Sequence, residues 1–136
     1  MPILYQWNSD AKDLVIVTFD GAWTWDDFYQ HIHEVHNDIK TVPHTVDMLL
    51  WHKQLQRLEK RLMHFNEAAR LQPTNVGKVI ALIPPSESRV ASILMTLAKV
   101  VRRIYPSKSS VTITTSLKEA EKILGKKVLV RVGATM

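Results

Sequence analysis

The feature that most constrains this chain is the alternation of strand-length apolar runs with amphipathic stripes. Apolar and β-branched runs predict strands at residues 3–7, 14–19, 46–51, 76–83 and 111–114. Stripes with apolar side chains three and four positions apart lie between them and predict helices. Because strands that alternate with helices favour right-handed crossovers, we predict an α/β fold with a mostly parallel sheet and the element order ββαβαβαβα.

The first two runs are separated only by polar residues, so they predict an N-terminal hairpin that adds an antiparallel strand to the sheet. Thr24 with Asp27, and Ser116 with Glu119, are capping-box patterns that start the first and last predicted helices. Gly125 ends the last one as a C-cap. The second predicted helix has the apolar stripe Leu55, Leu58, Leu62, Phe65 and Ala69, and the third has the stripe Val90, Ile93, Leu94, Leu97, Val101 and Ile104. Residues 127–132 fit one further strand at a sheet edge.

Composition favours one cytoplasmic domain. Apolar residues make up 46% and charged residues 23% of the 136 residues, a globular balance, so we expect a single domain over residues 1–136. The absence of cysteine excludes disulfides, thiolate catalysis and cysteine-ligated zinc, and it fits a reducing compartment. No signal peptide is visible, and the apolar runs are far shorter than the roughly 20 residues that span a bilayer. We expect no membrane partner.

The element order, the Asp20-Gly21 and Thr24-Trp25 junctions and the Thr-Ser-Leu-Lys-Glu-Ala segment at 115–120 resemble the STAS domain of anti-sigma-factor antagonists. The resemblance covers residues 2 to about 124. It implies a small regulatory module that binds a partner, often a kinase, and is switched by phosphorylation at the start of the second helix. Here residues 50–54 read Leu-Trp-His-Lys-Gln, with no hydroxyl group, so the phosphorylation switch is not expected.

The end of the central strand is the predicted site, because ligands of open α/β sheets bind at the carboxyl ends of the strands. Trp51 is either an exposed binding anchor or part of the core, and the sequence leaves this open. Ser86 stands where the third predicted helix begins and its amide groups could hold an anion. The full set of predicted binding residues is Trp51, His52, Lys53, Arg57, Lys60, Arg61 and Ser86.

Charge is distributed unevenly and suggests the chemistry of a partner. Residues 1–51 contain two basic and eight acidic residues, whereas the remaining residues contain 16 basic and five acidic ones. Lys53, Arg57, Lys60, Arg61 and His64 fall on one face of the second predicted helix. That face could bind an anionic ligand, although an ordinary solvated surface is the favoured alternative. Nucleic acid is disfavoured, because the basic residues lack the interleaved aromatic residues of a stacking platform.

Three histidines on the first predicted helix are candidate metal ligands. His31 and His33 lie some 200° apart at about 100° per residue, so only His33 and His36 can converge, and no carboxylate completes a site. We predict a solvated polar face there and no metal. Trp23 and Trp25 are expected to pack over the sheet.

Enzyme signatures such as Gly-x-Gly-x-x-Gly, the phosphate-loop lysine motif, Gly-x-Ser-x-Gly and His-Glu-x-x-His are absent, so we expect no cofactor. The leading hypothesis is a non-catalytic, STAS-like protein-interaction or regulatory module whose partner is another protein or a second copy in a homodimer. The alternative is a small ligand-binding protein or enzyme with its pocket at Trp51, His52 and Ser86.

Overall fold

A computed structural model describes residues 3–53, 64, 67–68, 70–84 and 111–129. The elements in chain order are β1 (Ile3–Trp7), β2 (Leu14–Phe19), α1 (Trp25–Lys40), β3 (Val46–His52), β4 (Val76–Leu82), β5 (Val111–Thr114) and α2 (Leu117–Leu124). Residues 64, 67, 68, 70 and 71 also have helical backbone. Most of the second predicted helix and all of the third lie outside the described residues, so the complete order ββαβαβαβα stays a prediction.

The strands form one mixed sheet in the order β1-β2-β3-β4-β5. β1 and β2 pair antiparallel as a hairpin, and the pairs β2–β3, β3–β4 and β4–β5 are parallel. The predicted α/β class is therefore confirmed. Two strand bounds differ from the prediction by one residue: β3 extends to His52, and β4 ends at Leu82.

Helix α1 begins and ends at side-chain caps. Thr24 accepts a hydrogen bond from the Asp27 amide at 3.1 Å, and the Asp27 carboxylate accepts one from the Thr24 amide at 3.0 Å, so the predicted capping box is present. These bonds from the Thr24 backbone and hydroxyl hold the pKa of Asp27 below its usual value. At the other end Asn75 Nδ2 donates to the carbonyl groups of Ile39, Val42 and His44, which fixes the turn that leads into β3.

Each face of the sheet carries its own apolar core. On one face, α1 buries Phe28, Ile32, Val35 and Ile39 against inward residues of β1 to β4, and Ala68 joins the same cluster. On the opposite face, Ala120 and Leu124 of α2 pack on alternate residues of β2, β3 and β4. Because side chains alternate along a strand, burial on both faces explains why β2 and β3 read as continuous apolar runs.

The segment that follows α2 is held by side chains. Residues 127–129 contain no strand, and residues 130–132 of the predicted edge strand lie outside the described residues. Asn8 Nδ2 donates to the Lys127 carbonyl at 2.8 Å, and Asn8 Oδ1 accepts from the Leu129 amide at 2.7 Å. One amide side chain from the hairpin turn thus supplies the two bonds that a neighbouring strand would have given. Within the described ranges, no helix is both long and apolar enough to cross a membrane.

Candidate functional site

The carboxyl ends of β2 and β3 meet at one edge of the sheet. Their parallel register places Phe19 beside His52 and Thr18 beside Trp51. The Lys53 amide then donates to the Phe19 carbonyl at 2.9 Å, which continues the ladder by one residue. The backbone of residues 51–53 is therefore held by β2, so the predicted site rests on a rigid element.

His52 is almost completely buried. Its side chain is 1% exposed, and its ring stacks on Phe19 with a centroid distance of 4.3 Å and an interplanar angle of 12°. It therefore lies among the inward residues at the end of the sheet, and a partner approaching from the surface would meet Trp51 or Lys53 instead. A binding role for His52 stays a prediction.

Trp51 and Lys53 are partly exposed and contact each other. The ring of Trp51 packs on the α2-side core, while Lys53 Nζ lies 5.0 Å from the ring centroid. This distance is within the range of a cation–π interaction. The pair combines a flat apolar ring with a positive charge, and it can receive an acidic or aromatic side chain. We call it the Trp51–Lys53 surface.

The remaining predicted binding residues, Arg57, Lys60, Arg61 and Ser86, lie outside the described residues. His64, which the sequence placed with the basic residues on a face that either binds an anion or is solvated, packs on α1. Its ring stacks on Trp25 at a centroid distance of 4.0 Å, and its Nδ1 lies 2.6 Å from the Tyr29 hydroxyl. His64 is thus half-buried against α1 and not on a solvated face.

The aromatic residues that precede α1 close this end of the core. Trp23 is 2% exposed, and its ring centroid lies 5.4 Å from that of Phe19. Trp25 meets Trp23 edge-on at 4.9 Å and Phe28 edge-on at 5.4 Å. Trp23 packs on Phe19 of β2, as predicted, whereas Trp25 is partly buried against the edge of the same core cluster.

The histidines of α1 have three different environments. His33 is exposed, and His31 is partly buried with its Nδ1 2.8 Å from the Asp27 carbonyl oxygen. His36 is only 5% exposed, so the predicted solvated polar face is wrong at this residue. Burial, together with the charges of Lys40 and His33, lowers the pKa of His36 to about 4. In the described part of the chain, no three potential ligands are grouped so as to hold a metal ion.

A polar cluster around Asp47 lies at the other end of the strands, near the start of β3, and the sequence did not predict it. Asp47 is 6% exposed, its Oδ1 accepts from the Lys78 amide at 2.7 Å, and its Oδ2 lies 2.8 Å from Lys126 Nζ. Gly77 makes room for this carboxylate, because a Cβ there would collide with Asp47 Oδ1 and lie 2.7 Å from the Thr45 methyl group. A single acid inside an apolar strand was the available signal.

No family model matches this chain, and searches of curated proteins and of solved structures also return no match. Its function is therefore inferred from the geometry of its own residues.

Proposed function

We propose that this protein is a non-catalytic, STAS-like interaction module that binds a protein partner through the Trp51–Lys53 surface. The observation that carries the proposal is the Lys53 ammonium group 5.0 Å from the ring centroid of a partly exposed Trp51, at the carboxyl end of a central strand. Tryptophan is enriched among the residues that dominate binding energy at protein interfaces, because its large ring orders at low entropic cost.

The rigidity of this surface supports the same proposal. The backbone of Lys53 is bonded to β2, and the ring of Trp51 rests on the core, so little freedom is lost when a partner binds. The positive charge selects an acidic partner surface and would speed its association. Arg57, Lys60 and Arg61, together with Ser86, would extend the basic contact surface. The burial of His52 favours this interaction surface over a ligand pocket or enzyme site built on Trp51, His52 and Ser86.

The proposed module acts in the cytoplasm without the phosphorylation switch of the STAS family, since none of the side chains of residues 51–58 has a hydroxyl group. Its partner is a protein with an acidic or aromatic contact, or a second copy of this chain. Regulation would then depend on partner concentration.

Site-specific photo-cross-linking in the native host tests the proposal. A photoreactive phenylalanine analogue replaces Asp20, the exposed residue after Phe19 beside the Lys53 backbone, in one protein and Lys118, an exposed residue of α2, in the matched control, so that Trp51 and Lys53 both stay intact. We expect a protein adduct from position 20 that is absent from position 118 and that weakens when Trp51→Ala is added. An adduct with a second copy would identify the homodimer. Equal adducts from both positions, or adducts that ignore Trp51→Ala, would refute the proposal.

A further inference from the structure

A groove runs along the outer side of α1. It encloses about 530 Å³, and its lining includes Tyr29, Ile32, His33, His36, Lys40 and Leu71. At about 100° per residue, positions 29, 33, 36 and 40 share one stripe of the helix. The stripe extends for about 16 Å at a rise of about 1.5 Å per residue, so the groove is suited to an elongated molecule.

Most of the groove is apolar. Ile32 is 6% exposed and forms part of its base, with the ring of Tyr29 beside it. Leu71 lies at the edge of the groove and is 62% exposed, one of the few large apolar side chains exposed in the described part of the chain. A hydrocarbon chain in the groove would cover Leu71 and remove apolar surface from water.

His36 adds a polar group to this apolar wall. Only 5% of His36 is exposed, and it lines the groove. Because its pKa is lowered to about 4 by burial, the ring is neutral near pH 7 and has one N–H donor.

Lys40 supplies charge one helical turn beyond His36. It is exposed, and it lines both this groove and a neighbouring one that continues past Val42 and Pro43 to Asn75. An ammonium group and a neutral N–H donor at one end of an apolar channel are complementary to one carboxylate followed by a hydrocarbon chain.

We propose that the α1 groove binds an elongated aliphatic monocarboxylate. The carboxylate contacts Lys40 and His36, and the hydrocarbon chain lies along Ile32 and Tyr29 beneath Leu71. This site is separate from the Trp51–Lys53 surface, and neither proposal depends on the other.

The test is a titration of the full chain with decanoate, followed by ¹H–¹⁵N NMR. We expect saturable shifts confined to the amides of residues 29–40 and 71–75. Decanol lacks the charge and propionate lacks the long chain, so each should bind at least about tenfold more weakly, the factor that corresponds to about 1.4 kcal/mol. Shifts spread over the whole sheet, or equal binding of decanol and decanoate, would overturn the proposal.

Two variants test the carboxylate end of the site. Lys40→Met should weaken decanoate binding about tenfold, as expected for loss of one charge-assisted contact, and leave decanol binding unchanged. His36→Phe keeps a ring of similar size and should also weaken decanoate binding. Lys122→Met, at an exposed residue of α2, is the matched control. Because Lys40 is exposed, its variant should fold normally, and unchanged decanoate affinity in it would refute the proposed carboxylate contact.

Discussion

The two ends of the central strands are covered by different kinds of side chain. At the carboxyl ends, Phe19 stacks on His52 and packs against Trp23, so the interior ends in aromatic rings. At the amino ends, the carboxylate of Asp47 is paired with Lys126. The aromatic end leaves the Trp51–Lys53 surface partly exposed, whereas the ionic end directs its polar groups inward.

This difference indicates a division of roles. Lys126 Nζ lies 2.8 Å from Asp47 Oδ2 and donates to the Asp13 carbonyl at 2.8 Å, so it joins the segment after α2 to the starts of β2 and β3. Groups satisfied in this way contribute to one packed arrangement and offer little to a partner. We therefore propose a structural role for the amino end, beside the partner binding proposed for the carboxyl end.

Removing Asp47 should have the largest effect on stability. Asp47→Ala removes the nearer of the two carboxylates beside the partly buried Lys126 ammonium, leaving Asp13 Oδ2 at 3.9 Å, and leaves the Lys78 amide without its acceptor. We expect the free energy of unfolding to fall by about 4 kcal/mol, typical of breaking a buried ion pair. Urea unfolding measures this. Asp10→Ala, at an exposed turn residue, is the control and should change stability by less than about 0.5 kcal/mol. Equal effects would remove the distinction between the ends.

Low pH should lower the free energy of unfolding by a smaller amount, through His36 on α1 and not through either end of the strands. The pKa of His36 is lowered from 6.5 to about 4 by burial, so the unfolded chain binds its proton first as the pH falls. The contribution is fully present above pH 6.5 and is lost as the pH falls toward 4, a change of about 3 kcal/mol. His36→Phe lacks this titration. We expect the stability difference between the two proteins to shift by that amount between pH 7 and pH 4, and parallel profiles would contradict the burial of His36.

The sequence predicted the first and last residues of a strand correctly where turn residues flank the strand. β1, β2 and β5 have the predicted bounds, because polar residues or capping residues stand next to each apolar run. β3 is one residue longer than predicted. His52 pairs with Phe19 on the neighbouring strand β2 and stacks on its ring, a contact that no local pattern reveals. Local patterns therefore locate an element, and tertiary contacts adjust its end.

The candidate site was less predictable because exposure depends on neighbours distant in sequence. Trp51 and His52 are adjacent and were predicted as one site, yet strand alternation directs their side chains to opposite faces. On α1, periodicity placed His36 on the polar side, but it lies next to the buried stripe, where lateral packing decides exposure. Asp47 finds its cation in Lys126, far along the chain, and no spacing rule connects the two.

The central claim is that binding belongs to the carboxyl end and stability to the amino end, and one paired measurement tests it most directly. Lys53→Glu and Lys126→Met are each assayed for the free energy of unfolding and for affinity toward the protein captured from position 20. We expect Lys53→Glu to keep its stability within about 0.5 kcal/mol and to lose at least about tenfold in affinity. Lys126→Met should lose about 3 kcal/mol or more of stability, while its folded fraction binds normally. If Lys126→Met weakens binding as much as Lys53→Glu does, or Lys53→Glu binds normally, the division of roles is wrong.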